Sequence, residues 1–220
     1  MSKDRWTGLM LMAGSAGALI TLALHPSGRE LFSAATFEAA ARQLVMVHSL
    51  ALAAMPLWFT GAIGLSRRVA NSGDTERQLG LTAVVFYGFG LAAMMTGVVF
   101  DGLVSPGLAG QINATTGTVG QGWRIAFNYN SMLDMAFMHV FLGASSLALG
   151  LWSAAMIKGG ALPRWWGIVG GILATAALIG LVSGQIDRNM QLFSVVFFGQ
   201  AAWFFVTGGL LWRREDAAPA

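Results

Sequence analysis

Residues 131–152, SMLDMAFMHVFLGASSLALGLW, form an apolar stretch that contains one carboxylate and one imidazole, those of Asp134 and His139. The stretch is long enough to predict a membrane-crossing helix, which needs about 20 apolar residues. With about 100° of rotation per residue, Met135 and Gly143 share a stripe with His139, whereas Asp134 lies about 140° round the helix. Ionisable groups in such a helix are costly and need partners on other helices.

The composition of the whole chain is that of a membrane protein. Of the 220 residues, 55% are hydrophobic and 10% are charged, against about 25% charged residues in soluble domains. Residues 1–220 are therefore predicted to form one all-α, polytopic transmembrane domain, a six-helix bundle of three consecutive helical hairpins. The predicted spans are residues 6–24, 44–65, 79–100, 131–157, 165–182 and 191–212.

The positions of Lys and Arg predict the orientation, because cytoplasmic loops retain positive charge. Nine of the 13 lie at the two termini and in the second and fourth connections, and four lie in the other three connections. Both termini are therefore expected in the cytoplasm of a multi-pass protein of a cell membrane, here assigned to the bacterial inner membrane. The basic residues form no run with interleaved aromatic residues, so no nucleic-acid partner is expected.

Two connections are predicted on the outer side. The longer one, residues 105–130, is rich in Gly, Thr and Asn, and connections of that length are usually lids, binding loops or disordered segments. The shorter one, residues 29–43, is predicted either as a short helix on the membrane surface or as a solvated connector.

The topology collects the polar side chains of the spans and rims at the outer end, which predicts a polar pocket there. Helical rise places His48 and His139 at similar depth, with Met94 and Met135 near them. These four are the candidate metal ligands, and the two histidines are the candidate axial ligands of haem b. The remaining members of the predicted outer pocket are His25, Asp101, Asp134, Arg124, Asp187 and Arg188.

One alternative is purely structural: the histidines in the helices join them to their neighbours by hydrogen bonds. Beyond it, three kinds of function stay open from the sequence. Neutral imidazole binds copper, zinc or iron ions as well as haem, which indicates a redox or metal-handling role. A small-solute or proton transporter would continue the pocket inward through Gln200, Thr96 and Ser146. A non-catalytic accessory or anchor subunit would contact partner membrane subunits, or further copies of itself, through helix faces in the lipid bilayer.

Some chemistry is excluded or disfavoured by the residues present. The chain has no cysteine, which excludes disulfides, thiolate zinc sites, iron–sulfur clusters and covalent haem attachment. It has no Gly-x-Ser-x-Gly elbow and no His-Glu-x-x-His pair. The chain is thus expected to be an enzyme only if the chemistry takes place in the outer pocket.

Overall fold

A computed structural model of the chain describes residues 1–26, 28–188 and 190–213, without the side chains of residues 187, 188 and 190. All regular structure in these residues is helical. The α-helices are α1 (Lys3–Leu24), α2 (Phe37–Ala70), α3 (Asp74–Val99), α4 (Ser105–Ala114), α5 (Gly117–Gly159), α6 (Arg164–Val182), α7 (Gln185–Arg188) and α8 (Met190–Trp212). A 3₁₀ turn spans Gly28–Phe32, and a π-helical turn, Phe100–Val104, joins α3 to α4.

Six helical stretches in the described part of the chain are long and apolar enough to cross a membrane. They contain the six predicted spans, and α3, the π-turn and α4 together form one of them, Asp74–Ala114. The prediction of six apolar, membrane-compatible helices is therefore confirmed. The three-hairpin arrangement and the cytoplasmic location of both termini stay predictions.

The helices pack as a closed ring. Helix α1 packs between α2 and α8, α3 packs between α2 and α5, and α6 lies against α5 and touches α8. Close approach of α1 to α2 depends on Gly14, because a Cβ atom there would lie 2.6 Å from the Trp58 backbone nitrogen and Cα. Small residues allow such backbone contact between membrane helices.

Large aromatic side chains fill the middle of the ring. Trp58, Tyr87, Trp152 and Phe204 are buried, and the ring centroids of adjacent pairs lie 5.1–6.0 Å apart. Beside them, Ser145 Oγ donates to Gln200 Oε1 and Gln200 Nε2 donates to Ser146 Oγ, each at 2.8 Å. These bonds satisfy a buried amide that would otherwise be costly in an apolar bundle.

The connection predicted over residues 105–130 as a loop-like segment is almost entirely helical. It contains α4 and the first turns of α5, and only Thr115 and Thr116 between them are outside helices. At 1.5 Å per residue, α5 is roughly 65 Å long, about twice the thickness of a bilayer core. The helix is therefore longer than a single crossing of a bilayer core needs.

These extended parts form a small second layer at one end of the bundle. Leu31, Ala40, Leu44 and Ala109 pack there in a buried cluster, with Phe37, Ala41 and Phe127 at its edge. Helix α2 begins at Phe37, so most of the shorter predicted connection is helical as well. We call this end, where α1 ends at Leu24 and α3 ends at Val99, the site end.

Candidate metal centre

Two imidazoles and one carboxylate meet at the site end. Oδ2 of Asp101 lies 2.9 Å from Nε2 of His25 and 3.0 Å from Nε2 of His48. The three ligand atoms all lie within 4.8 Å of one another. His48 is 5% exposed, whereas the other two side chains are about one-third exposed, so the group is partly accessible.

Each of these side chains comes from a different part of the fold. His25 is the residue that follows the last turn of α1, and its Nδ1 donates to the carbonyl oxygen of Pro26 at 2.9 Å. His48 lies in α2, and its Nδ1 donates to the carbonyl oxygen of Leu44 at 2.8 Å. Asp101 lies in the π-helical turn.

The Nδ1 hydrogen bonds determine what the Nε2 atoms can do. A carbonyl oxygen accepts only, so Nδ1 carries the hydrogen in both rings. A neutral ring then has a lone pair on Nε2, yet both Nε2 atoms point at Oδ2 of Asp101, which is also an acceptor when ionised. Either protons or a metal cation must lie among these three atoms. Histidines that bind metals commonly donate their other N–H to a carbonyl oxygen, as both do here.

The π-helical turn aims Asp101 at the two histidines. The backbone N–H of Ser105 donates to the carbonyl oxygen of Phe100, five residues earlier, and the wider turn shifts the register of the side chains that follow. Gly102 in this turn lies directly against His48, because a Cβ atom on Gly102 would overlap Cβ and Cγ of that histidine. π-Turns inside α-helices are frequent at functional sites.

Asn130 of α5 holds the π-turn in place. Its Nδ2 donates to the carbonyl oxygen of Phe100 at 3.0 Å and to Oγ of Ser105 at 2.9 Å, and the residue is buried. The carbonyl oxygen at the start of the turn is thus bonded from both the backbone and this side chain.

We expect Asn130→Ala to lower the free energy of unfolding by about 1–3 kcal/mol, because buried Oγ of Ser105 loses this donor and the carbonyl oxygen of Phe100 loses one of its two. The melting temperature in detergent should fall by a few degrees and metal affinity should weaken, since Asp101 is then less well positioned. Asn128→Ala is the matched control, since Asn128 is exposed on the same helix. Equal melting temperatures for the two variants would show that Asn130 does not support the turn.

A cavity of about 420 Å³ adjoins the three ligands inside the bundle. Three of the predicted pocket residues, Met94, Asp134 and Met135, line it together with His25, His48 and Asp101. Its other walls are mostly apolar: Ala18, Thr21, Leu22, Ala51, Val98, Met138, Phe193, Ser194 and Phe197. The aromatic core lies beyond Phe197, whose ring packs against Trp58 with their centroids 6.5 Å apart.

Two other predicted residues, His139 and Arg124, are not among the described residues that line this cavity. His139 is half-buried in α5 and is not among the lining residues. Arg124 lines a second cavity of about 280 Å³ with Phe32 and Phe127. The side chains of Asp187 and Arg188 lie outside the described part of the chain. His48 therefore meets His25 and Asp101, and the pairing of His48 with His139 gains no support.

Sequence reasoning included His25 and Asp101 only as general members of the outer pocket. Depth along the helices selected His48 and His139, because helical rise is all that a sequence gives. The signal that could have identified His25 is the His-Pro step that ends the first span, where the chain turns back over the bundle. Asp101 and Gly102 stand side by side in the sequence, but nothing there indicates a π-turn.

Asp101 affects the protonation of His25. The hydrogen bond to the Asp101 carboxylate raises the pKa of His25 above its ordinary value of 6.5, against the lowering effect of burial. In the absence of a metal, this imidazole therefore holds its second proton to higher pH than a free histidine does. A metal ion that binds here displaces that proton.

No protein-family model, curated protein or solved structure matches this chain. A functional proposal thus rests on the geometry of the three ligands and their cavity.

Proposed function

We propose that this chain is an integral membrane protein that binds a divalent transition-metal ion through His25, His48 and Asp101. The observation that supports the proposal is the convergence of both Nε2 atoms on one carboxylate oxygen while both Nδ1 atoms donate to backbone carbonyls. This arrangement gives two lone pairs and one anionic oxygen directed at a common point. It also fixes the tautomer that metal binding requires.

The donor set favours zinc or iron over copper(I). Imidazole nitrogen and carboxylate oxygen suit Zn²⁺ and Fe²⁺, whereas copper(I) selects soft sulfur ligands. Atoms bound to one ion at about 2.0–2.2 Å are roughly 3.0–3.5 Å apart, close to the 2.9 Å and 3.0 Å separations of nitrogen and oxygen here. Met94 and Met135 line the cavity, but methionine commonly fills gaps in apolar cores.

Axial ligation of haem b fits this group poorly. Two axial histidines would point at each other across the plane of the macrocycle. Here both Nε2 atoms point at the same oxygen of Asp101, and the two imidazole centroids are 5.1 Å apart at an interplanar angle of 72°. No flat macrocycle can lie between the rings in this arrangement.

Transport gains no specific support. Gln200 and Ser146, which would continue a pathway from the pocket, are buried and hydrogen-bonded to each other. The aromatic cluster fills the bundle beside them. We therefore propose a metal-binding pocket that ends at the aromatic core rather than the mouth of a conducting path.

Metal analysis of the purified protein tests the proposal. Protein extracted in mild detergent without chelator should contain stoichiometric zinc or iron by elemental analysis. Removal of the metal with a chelator should lower the melting temperature, because ligand binding to the folded state stabilises it, and Zn²⁺ should restore it. Protein that remains metal-free after incubation with Zn²⁺ and with anaerobic Fe²⁺ would overturn the proposal.

We further propose that the site end faces away from the cytoplasm, as the distribution of Lys and Arg predicts. The chain has no native cysteine, so single cysteines can be labelled without background. Thr118→Cys, at an exposed position near the start of α5, should react with an impermeant thiol reagent in intact cells. Ser72→Cys, exposed between α2 and α3, should react only after lysis. The reverse pattern would place the metal centre on the cytoplasmic side.

A further inference from the structure

We propose that the chain is a hydrolase that cleaves an ester or amide bond of an amphiphile, with Asp134 as the general base beside the metal. The inference rests on the metal site proposed above and adds to it a reaction, a substrate class and a further catalytic residue. Three features of the structure support it: a group of only three candidate metal ligands, a further carboxylate that lines the same cavity, and the apolar walls of that cavity.

The metal centre has room for a water molecule or a substrate oxygen. The group contains three ligand atoms, whereas structural zinc sites have four protein ligands and catalytic ones have three and an open position. His25, His48 and Asp101 all line the same cavity. The open position is therefore expected to face that cavity.

The Asp134 carboxylate is available for proton transfer. It lies in α5, lines the same cavity and is half-buried. Among the interactions of the described residues, it takes part in no hydrogen bond or ion pair, unlike Asp101. One of its oxygens is directed toward Gly97 of α3, where a Cβ atom would lie 2.9 Å from it.

The cavity is polar near the metal ligands and apolar elsewhere. From His25 the lining residues extend back along α1 to Ala18, and from Asp101 they extend back along α3 to Met94, a distance of about 10 Å in each case. The far end is apolar, with Phe197 and Met138 among its walls. A molecule with a polar carbonyl group at the metal and a hydrocarbon chain along these walls matches that distribution.

The reaction is a balanced hydrolysis that needs no further reactant. Asp134 takes one proton from a water molecule at the open position, and the resulting hydroxide forms a C–O bond to the substrate carbonyl carbon. As this bond forms, the π electrons of the substrate carbonyl move to its oxygen. They then re-form the carbonyl double bond while the bond from the carbonyl carbon to the alcohol oxygen or amine nitrogen breaks. The leaving group takes the proton from Asp134, so that one water yields one acid and one alcohol or amine.

The experiment uses the full-length, zinc-loaded protein in detergent with two fluorogenic esters that differ only in their acyl group, acetyl and octanoyl. We expect zinc-dependent hydrolysis of the octanoyl ester, with a kcat/KM at least about tenfold above that of the acetyl ester, because the longer chain buries more apolar surface. Asp134→Asn should lower kcat about 100-fold or more while metal content and melting temperature stay unchanged. Asp74→Asn, at an exposed position at the start of α3, is the control and should match the wild type.

Metal content separates the two proposals. Protein without metal would overturn the proposed function and this inference together. Zinc-loaded protein that hydrolyses neither ester, or that shows no preference for the octanoyl ester, would overturn the inference alone. If Asp134→Asn loses metal or fails to fold, Asp134→Glu, which keeps a carboxylate, is compared with Asp134→Ser, which has none, at equal zinc content. A kcat retained by Asp134→Glu and lost by Asp134→Ser supports the base, and equal kcat values for the two variants contradict it.

Discussion

His48→Ala is expected to reduce the bound metal to less than about a tenth of the wild-type content, because it removes the most buried of the three ligands. His48 is 5% exposed, and its Nδ1 bond to Leu44 fixes the ring toward Asp101. No other imidazole lines the cavity except that of His25, so among the described residues no histidine can replace it. Elemental analysis and the melting temperature with and without added Zn²⁺ measure the effect.

His139→Gln is the matched control for that variant. His139 lies outside the cavity lining, and glutamine keeps a polar group in the half-buried position. We expect full metal content for this variant. Loss of metal from His139→Gln and retention by His48→Ala would contradict the assignment of the ligands to His25, His48 and Asp101.

Gly102→Ala is expected to disrupt the metal centre without changing any ligand. The added methyl group would overlap Cβ and Cγ of His48, so either the π-turn or the histidine must move. Overpacking of this kind costs about 1–3 kcal/mol. Either movement changes the position of Asp101 relative to His48, so metal affinity should fall together with the melting temperature.

Gly107→Ala provides the comparison, because no atom lies within 4 Å of the position that its Cβ would occupy. It lies five residues further along the same helical stretch and should retain metal and melting temperature. Equal metal affinity in the two variants would show that the contact between Gly102 and His48 does not maintain the site.

Hydropathy was sufficient to predict the apolar helices. An apolar run that crosses a bilayer must satisfy its backbone hydrogen bonds internally, and a helix does so. The lengths of the helices were not predictable in the same way. Helix α5 begins at Gly117, well before the predicted start at residue 131, because packing against α4 and the 3₁₀ turn stabilises the polar turns outside the apolar run.

The sequence by itself determined that this chain forms apolar helices and that its histidines and several of its acidic residues collect toward one end. Both follow from local composition and helical rise. Only the tertiary structure decided which of those groups meet. His25, His48 and Asp101 are separated by 23 and 53 residues along the chain, and their contact depends on a π-turn, on Gly102 against His48 and on Asn130 of another helix. Such contacts between distant segments have no periodic signal, because they arise from the packing of helices and not from the order of residues within one.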